Sequence, residues 1–351
     1  MSGIQESIHK LVSGADLSEE EAAGAMKSIM SGEATPSQIA SFLTALRVKG
    51  ETVEEITAFA KVMRQFSVKI TPHVNGVLVD TCGTGGDKIK TFNVSTAAMF
   101  VAAGAGVPIA KHGNRSVTSK AGSADVVEAL GVRIDMLADG VQRCIENVGI
   151  GFMFAPQFNP AMKHAAPVRK EMGIRTVFNI LGPLTNPAGA RAQLMGVYDA
   201  SLTEKLASVL GRLGCERAMV IHGLDGLDEI STLGETKVSE LKNSAVKTYK
   251  ISPGDFGIPR ARVEDIAGKS LEENVRMMLG VLKGDDGPKR DIVMLNAAAA
   301  ILVGGKAKNM KDGLNVARKS LESGNAYDKV AQLVEASGGD IKKLKGLERS
   351  L

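Results

Sequence analysis

The stretch GVLVDTCGTGGD, residues 76–87, passes directly from a short aliphatic run into a segment with three glycines. An aliphatic run that ends at glycine is typical of a buried strand. In open α/β sheets ligands bind beyond the carboxyl ends of the strands, and glycines there let backbone N–H groups approach a phosphate without hindrance from a Cβ atom. The stretch therefore predicts a phosphate-binding loop, although its spacing matches neither GxxxxGKS/T nor GxGxxG.

The residues after this loop provide a second feature that favours an anion. FNVSTAAMFVAAGAG, residues 92–106, predicts a helix that begins at about Ser95. Asn93, Ser95 and Thr96 would then lie where the free N–H groups and the dipole of a helix start attract negative charge. The alternative is that the glycines only make a tight turn and that Ser95 only caps the helix. The two features together favour the phosphate loop.

A second polar loop follows the next predicted strand, VPIA at residues 107–110. Its cationic and hydrogen-bonding side chains are Lys111, His112, Asn114, Arg115, Ser116, Thr118, Ser119, Lys120 and Ser123. Two such loops at strand ends suggest a ligand with more than one phosphate. Lysine is usually a solvated surface charge, but Lys111 leaves a buried strand directly into the loop and is the stronger functional candidate. His112 has no partner at a triad spacing, so packing or substrate contact is favoured over general-base catalysis.

Carboxylates end a further predicted strand, in VIHGLDGLDEIST at residues 220–232. Asp225, Asp228 and Glu229 are of the type that binds Mg²⁺, which can bridge to the oxygens of a diphosphate. Taken alone, an acidic turn that caps the next element is the simpler interpretation. The two phosphate loops give the adjacent pair Asp228 and Glu229 its weight as a metal site.

A proline-rich segment, residues 156–187, separates the two groups of strands and contains Arg169 in HAAPVRKEMG. A planar guanidinium can bind a carboxylate through two hydrogen bonds, although a lone arginine on a helix is more often at the surface or in a salt bridge. The five prolines make the segment irregular. We interpret it as a crossover between two units, and hence as a hinge.

The N-terminal part of the chain reads as helical. Ser18, Thr35 and Thr52 are each followed by Glu or Gln three residues later, which is the capping-box spacing, and apolar residues recur at helical intervals between them. Residues 1–72 are therefore predicted to form a small helical domain, with part of 156–190 as hinge and added helices.

Residues 73–351 alternate short aliphatic runs with glycine turns and helices. Strands are predicted at 76–80, 107–110, 150–155, 192–198 and 217–223, and three helices after Pro288. Such alternation is typical of a parallel sheet. The predicted fold class is α/β, with a small N-terminal helical domain and a large domain that has a mainly parallel central sheet.

Composition excludes several classes of protein. The 351 residues are 44% hydrophobic and 23% charged, and the net charge of +4 comes from mixed acids and bases rather than from the basic runs of a nucleic-acid binder. Cys82, Cys144 and Cys215 form neither a CxxC pair nor a disulfide framework, which indicates a reducing cytoplasm. The N-terminus resembles no signal peptide and the apolar runs are too short or too interrupted to span a bilayer, so no membrane role is expected.

Together the motifs GTGGD, NVST, KHGNRSVTSKAGSAD, FAPQFNPAMKHAAPVRKEMGIRTVFNILGPLTNP and DGLDEIS resemble the anthranilate phosphoribosyltransferase family, in order and over nearly the whole chain. The resemblance implies a fold similar to pyrimidine nucleoside phosphorylases, with a cleft between the domains and a homodimer through the helical domains. It also implies transfer of the phosphoribosyl group of 5-phosphoribosyl 1-diphosphate (PRPP) to the amine of anthranilate, with release of diphosphate. Mg²⁺ is the implied cofactor, with two ions expected.

The resemblance also assigns site residues. Those implied to bind PRPP are Gly83, Gly86, Asp87, Thr91, Asn93, Val94, Ser95, Thr96, Lys111, His112, Gly113, Asn114, Arg115, Ser116, Val117, Thr118, Ser119 and Ser123. Gly83, Asn114 and Arg169 are implied to contact anthranilate, and Ser95, Asp228 and Glu229 to bind the metal. No catalytic acid or base is assigned, although Lys111 and His112 are candidates, because positioning and electrostatics suffice for an oxocarbenium-like transfer.

Two other functions are compatible with this fold. A pyrimidine nucleoside phosphorylase would use free phosphate, but the acidic DGLDE stretch and Arg169 favour a diphosphate with Mg²⁺ and an acceptor that carries a carboxylate. A non-catalytic relative that binds nucleic acid would need a basic surface with interleaved aromatic residues, and the sequence has no such stripe.

Overall fold

The N-terminal helices begin where the sequence predicts. The computed structural model describes residues 3–86, 89–116 and 121–349. The hydroxyls of Ser18, Thr35 and Thr52 each accept a hydrogen bond from the backbone N–H three residues on. The backbone N–H of each donates in return to the Glu or Gln side chain at that position, which completes a capping box. The first four helices are α1 (Gly3–Val12), α2 (Glu19–Ser31), α3 (Pro36–Lys49) and α4 (Val53–Phe66).

A seven-stranded sheet lies in the described part of the remaining chain, in the order β3-β2-β1-β4-β5-β6-β7. Its strands are β1 (Val79–Asp80), β2 (Ile109–Gly113), β3 (Ile150–Phe154), β4 (Ala192–Gly196), β5 (Arg217–Gly223), β6 (Thr236–Lys242) and β7 (Ala245–Ile251). The first five are parallel, as the alternation of strands and helices predicts. The fold class is therefore confirmed as α/β with a mainly parallel sheet.

The β6–β7 pair is an antiparallel hairpin at one edge, which the sequence analysis missed. Asn243 and Ser244 form its two-residue turn with φ of 52° and 60°, the left-handed conformation that such turns require. Charged residues interrupt both strands, so the pair has no continuous apolar run. An edge hairpin with one solvated face needs no such run.

Helices pack against the sheet, some of them between consecutive strands and the rest after the last strand. They are α5 (Val94–Gly104), α6 (Ser123–Ala129), α7 (Ala138–Val148), α8 (Ala155–Phe158), α9 (Ala166–Met172), α10 (Phe178–Leu181), α11 (Leu202–Arg212), α12 (Val263–Ile266), α13 (Leu271–Lys283), α14 (Pro288–Val303), α15 (Met310–Glu322), α16 (Asn325–Ala336) and α17 (Ile341–Glu348). The three helices predicted after Pro288 are α14 to α16. The short helices α8 to α10 lie in the proline-rich segment, which is as irregular as predicted. No helix of the described chain has the length and apolar character needed to cross a membrane.

Two apolar cores stabilise this arrangement. One surrounds α5 and α14, which are buried along nearly their whole lengths against the sheet. The other packs α1 to α4, called here the helical unit, against the proline-rich segment 156–187, called here the connecting segment. It also includes residues of α11, β4 and β5. Arg64, near the end of α4, adds polar contacts to this second core, because its guanidinium donates to the carbonyls of Leu184 and Leu213 at 2.8 and 3.1 Å.

Candidate active site

The glycine loop, defined here as Gly83–Gly86, lies at the carboxyl end of β1 and is held by neighbouring strand ends. Thr84 donates its N–H to the carbonyl of Gly196 at 2.9 Å, and its hydroxyl accepts the N–H of Tyr198 at 3.1 Å. A Cβ atom on Gly83 would lie 2.9 Å from the Gly196 carbonyl oxygen, so this close approach requires glycine. The loop therefore exposes backbone rather than side chains, as the phosphate-loop prediction requires.

Helix α5 begins next to this loop, within one residue of the predicted start. Its N-cap residue Asn93 makes no side-chain cap, and the Ser95 N–H donates to Glu229 Oε1 at 3.1 Å. The amide nitrogen of Asn93 donates to the Ala121 carbonyl at 3.2 Å. Within the described residues the Asn93 Oδ1 and the Thr96 hydroxyl are buried without a hydrogen-bond partner. These two buried polar atoms at the start of the helix can form hydrogen bonds with a ligand.

Lys111, on β2, connects the end of β1, where the glycine loop begins, with the start of α5. Its side chain is 2% exposed, and its ammonium donates to the Thr81 carbonyl at 2.8 Å and lies 3.4 Å from the Ser95 hydroxyl. A fixed cation therefore lies between the end of β1 and the start of α5. This position is more specific than that of an ordinary surface lysine and agrees with its choice as the functional candidate.

Below the site, the ends of β1 and β2 share a polar network that the sequence analysis missed. Asp80 accepts from Asn186 Nδ2 at 2.7 Å and from the His112 N–H at 3.3 Å. Burial raises the pKa of Asp80 to about 6, against the opposing effects of Asn186 and the Lys111 charge. The final carboxylate of the run GVLVD was the available sequence signal, but Asn186 lies too far along the chain to be linked to it by spacing.

His112 belongs to the same network and is fully engaged by protein groups. With Nδ1 protonated, the ring donates to the Gly182 carbonyl at 3.2 Å and accepts from Asn159 Nδ2 at 3.2 Å. Burial lowers its pKa to about 4, so the ring is neutral at pH 7. These contacts favour the packing interpretation of His112 over general-base catalysis.

The second loop is supported by carboxylates of α6, the helix that follows it. Arg115 pairs with Asp125 at 2.8 Å and with Glu128 at 2.7 Å, and the Ser116 N–H also donates to Asp125 at 3.2 Å. The Ser123 hydroxyl donates to the Asn114 carbonyl at 3.4 Å, which closes the loop against the start of α6. The Arg115 charge is thus already paired with two carboxylates of α6.

Several assigned positions need separate mention. Asp87, Val117, Thr118 and Ser119 lie outside the described residues. Among the others, Val94 is buried, Thr91 forms an isolated bridge with Ala267, and Gly113 packs tightly against Ser123 and Phe152. Any contact of these three with a ligand would have to involve mainly their backbone or, for Thr91, a half-buried hydroxyl.

The acidic pair Asp228 and Glu229 follows β5 and contacts both the glycine loop and the start of α5. Glu229 accepts from the Ser95 N–H, and the Asp228 carboxyl accepts a hydrogen bond from the backbone of Gly85. Burial raises the pKa of Asp228 above its ordinary value. Asp225, by contrast, accepts from the Ser231 hydroxyl at 2.5 Å and from the Leu227 N–H, as an acidic turn residue would. The structure therefore brings together Asp228, Glu229 and Ser95 but not Asp225.

Arg169 lies on α9, in the connecting segment. Its guanidinium stands 5.2 Å from the centre of the Phe178 ring, and burial lowers its pKa from the ordinary value. Within the described residues no carboxylate forms an ion pair with it. A half-buried guanidinium stacked on an aromatic ring and lacking a protein carboxylate is suited to bind the carboxylate of a ligand.

Comparisons with known proteins agree with this architecture. Residues 75–327 match the model of the glycosyl transferase family, a/b domain, and residues 5–67 match that of the glycosyl transferase family, helical bundle domain. The anthranilate phosphoribosyltransferase of Methanocorpusculum labreanum is 57% identical over 96% of this chain and 98% of its own. That of Acetivibrio thermocellus is 56% identical, with the same coverage of both chains.

Solved structures lead to the same family. The anthranilate phosphoribosyltransferase of Thermus thermophilus superposes with a TM-score of 0.90 at 43% identity, covering 96% of this chain and 99% of that one. The Saccharomyces cerevisiae enzyme in complex with PRPP and Mg superposes with a TM-score of 0.86 at 30% identity, covering 95% and 98%. The family models span both parts of the chain and the relatives span nearly all of it, so this chain belongs to the anthranilate phosphoribosyltransferase family.

Proposed function

We propose that this protein transfers the phosphoribosyl group of PRPP to the amine of anthranilate, giving N-(5-phosphoribosyl)anthranilate and diphosphate, the second step of tryptophan biosynthesis. The observation that carries the proposal is the contact of the acidic pair with both phosphate-type features, Asp228 with Gly85 and Glu229 with Ser95. Relatives solved with PRPP and Mg or with 4-fluoroanthranilate support the choice of both substrates.

On the diphosphate side, the chain supplies a concave backbone surface and one fixed cation. The glycine loop and the start of α5 present N–H groups, and Lys111 places positive charge where negative charge grows as the C1–O bond breaks. The PRPP contacts proposed for Gly83, Gly86, Asn93, Ser95 and Thr96 follow from this arrangement. We also propose PRPP contacts for the second loop, from Lys111 to Ser119 with Ser123.

The residues present are suitable for Mg²⁺. Asp228, Glu229 and the Ser95 hydroxyl are hard oxygen donors, and Mg²⁺ typically binds one or two carboxylates and completes its shell with phosphate oxygens and water. The raised pKa of buried Asp228 indicates a carboxylate whose ionised form a cation would stabilise. When bound, Mg²⁺ would neutralise charge on the diphosphate. Two ions are proposed because the two carboxylates contact different sides of the site.

On the acceptor side, we assign Arg169 to the carboxylate of anthranilate. Its planar group can form two parallel hydrogen bonds, which would fix the ring and direct the neighbouring amine. An aromatic amine is largely neutral at pH 7, so the reaction needs orientation more than it needs a strong base. Gly83 and Asn114, at the ends of the two loops, are the other contacts proposed for anthranilate.

The test combines turnover with a matched pair of variants. Purified enzyme with anthranilate, PRPP and Mg²⁺ should consume anthranilate, followed as loss of its fluorescence. Arg169→Ala should raise the KM for anthranilate by about tenfold or more, the size expected for a charged hydrogen bond, and leave the KM for PRPP nearly unchanged. The exposed neighbouring residue provides the control variant Lys170→Ala, which should behave as wild type. Wild-type-like turnover of Arg169→Ala at subsaturating anthranilate would remove Arg169 from this role.

The same assay separates the alternative functions. Phosphorolysis of thymidine by the wild-type enzyme, without loss of anthranilate, would support the nucleoside phosphorylase. Binding of nucleic acid without either reaction would support a non-catalytic relative. The identity of 57% to a curated anthranilate phosphoribosyltransferase over nearly the whole chain favours the first proposal over both.

We also propose a homodimer through the helical unit, in the cytoplasm. Val12 and Val48 are 73% and 83% exposed, and they border an apolar groove between α1 and α3 that also contains Leu11 and Ala45. Light scattering should give twice the chain mass for the wild type and the single mass for Val48→Glu. The three free cysteines suit a reducing compartment.

A further inference from the structure

Arg175 connects the proline-rich segment to the glycine loop. It follows α9 by three residues and is exposed, yet its guanidinium nitrogen Nη2 donates to the Gly86 carbonyl at 2.6 Å. The same guanidinium lies 4.2 Å from the centre of the Tyr198 ring. The hydrogen bond and the contact with the ring face together restrain the Arg175 side chain, although it is exposed.

The other contacts of the glycine loop explain why this one matters. Thr84 is held by Gly196 and Tyr198 after β4, and the backbone of Gly85 is bound by Asp228 after β5. Gly86 adopts a φ of +82°, and a Cβ atom on it would lie 3.1 Å from Arg175 Nη2. Arg175 is thus the attachment of the last described residue of the loop. It comes from the connecting segment, whereas the other attachments come from strand ends.

Tyr198 provides the surface on which Arg175 rests. Burial raises the pKa of its phenol, with opposing effects from the charges of Arg47 of α3 and of Arg175. The stacked geometry suits a planar guanidinium better than the compact ammonium of lysine.

We propose that Arg175 is a positioning residue that holds the glycine loop in the conformation that receives the diphosphate of PRPP, with Tyr198 as its platform. A hydrogen bond to the Gly86 carbonyl fixes the orientation of the peptide at the end of the loop. A loop fixed before binding does not have to lose conformational entropy when the ligand arrives. Arg175 thereby couples the loop to the segment that carries Arg169.

This inference rests on the proposed function for the identity of the ligand, so its test includes measurements that do not depend on turnover. The variants are Arg175→Ala, Arg175→Lys, Tyr198→Leu and Tyr198→Phe, with Lys170→Ala as the control in the same segment. The measurements are steady-state kinetics with both substrates, calorimetric binding of inorganic diphosphate with Mg²⁺, and hydrogen exchange of the peptide that covers residues 81–86.

Arg175→Ala should raise both the KM for PRPP and the dissociation constant for diphosphate about tenfold, the size expected for one charged hydrogen bond, with faster exchange in the loop. The KM for anthranilate should change less than about twofold, since the variant retains Arg169. Arg175→Lys should recover part of the loss, because an ammonium can still donate to a carbonyl. Tyr198→Phe should retain the platform, and Tyr198→Leu should resemble Arg175→Ala.

Diphosphate affinity and loop exchange that both stay at the wild-type level in Arg175→Ala would overturn the proposal. So would an equal rise of both KM values together with a lower melting temperature, which indicates a general structural role. If the wild-type enzyme consumes no anthranilate, the proposed function fails on its own. The diphosphate and exchange measurements would still decide the role of Arg175.

Discussion

The loops after β1 and β2 are both proposed to bind the phosphates of PRPP, but they are held in place in different ways. The glycine loop after β1 carries almost no side chains and is held from outside, by Gly196, Asp228 and Arg175. The loop after β2 contains cations and is held by the helix that follows it directly, since Arg115 pairs with Asp125 and Glu128 of α6. The comparison teaches that charge in a phosphate-type loop is not automatically available to a ligand. A bare loop can be the more specific one because other elements shape it.

The largest effect is expected at the start of α5, beside the glycine loop, where Glu229 accepts the Ser95 N–H. Glu229→Gln keeps the size of the side chain but removes the charge next to Ser95. We expect kcat/KM to fall about 10²–10³-fold, as for loss of one preorganised electrostatic contact at a transition state, and the Mg²⁺ dependence to shift to higher concentration. Turnover as a function of Mg²⁺ concentration measures both effects. Glu235→Gln, an exposed change on the same side of the sheet, is the control.

A second test concerns the strand ends below the loops, where Asp80 and His112 meet. The pKa of Asp80 is raised from 3.8 to about 6, so its contribution to stability is complete below pH 3.8 and is lost as the pH rises through about 6. The pKa of His112 is lowered from 6.5 to about 4, so its contribution is complete above pH 6.5 and is lost as the pH falls through about 4. The two groups therefore oppose each other in the same pH window.

Removing either side chain should leave the pH dependence of stability that the other one causes. Between pH 7 and pH 4.5, as the pH falls, Asp80→Asn should lose stability more steeply than wild type and His112→Gln less steeply, by up to about 3 kcal/mol for shifts of this size. Urea denaturation at several pH values measures the slopes. The comparison uses slopes, because either change also alters the hydrogen bonds at every pH. Identical slopes in all three proteins would mean that neither group titrates in this window.

The smallest effect is expected in the second loop. Arg115 is 46% exposed and its charge is already paired, so Arg115→Ala should lower the free energy of unfolding by only about 0.5–1 kcal/mol. The KM for PRPP should rise less than about threefold, because the loop can still offer its backbone. Thermal unfolding and kinetics together measure this. A large rise in KM without loss of stability would show that the guanidinium leaves its carboxylates to bind the ligand.

Much of this fold could be predicted because the relevant signals are local. Capping boxes at Ser18, Thr35 and Thr52 and aliphatic runs bounded by glycine depend on neighbours three or four residues apart. The carboxyl ends of parallel strands converge, so loops after consecutive strands could be assigned to one site. The acidic pair Asp228 and Glu229 could be predicted as a metal site for the same reason, because it also follows a strand.

The interactions that escaped prediction join distant residues. Asp80 and Asn186 lie 106 positions apart, and Arg175 and Gly86 lie 89 positions apart. No spacing rule links such pairs, since their contact depends on how the connecting segment folds back over the sheet. The edge hairpin β6–β7 escaped for another reason, because charged residues interrupt both strands and leave no continuous apolar run.

The second apolar core has a consequence for how this chain can be divided. It includes Leu206 and Leu210 of α11 and Val220 of β5 beside the residues of α1 to α4. A fragment cut after residue 72 would therefore lose part of its own interior and expose apolar surface in both pieces. The second core thus continues across the domain boundary that is predicted at residue 72. Exchange of the helical unit between homologues should accordingly succeed only when the facing residues of α11 and β5 are exchanged with it.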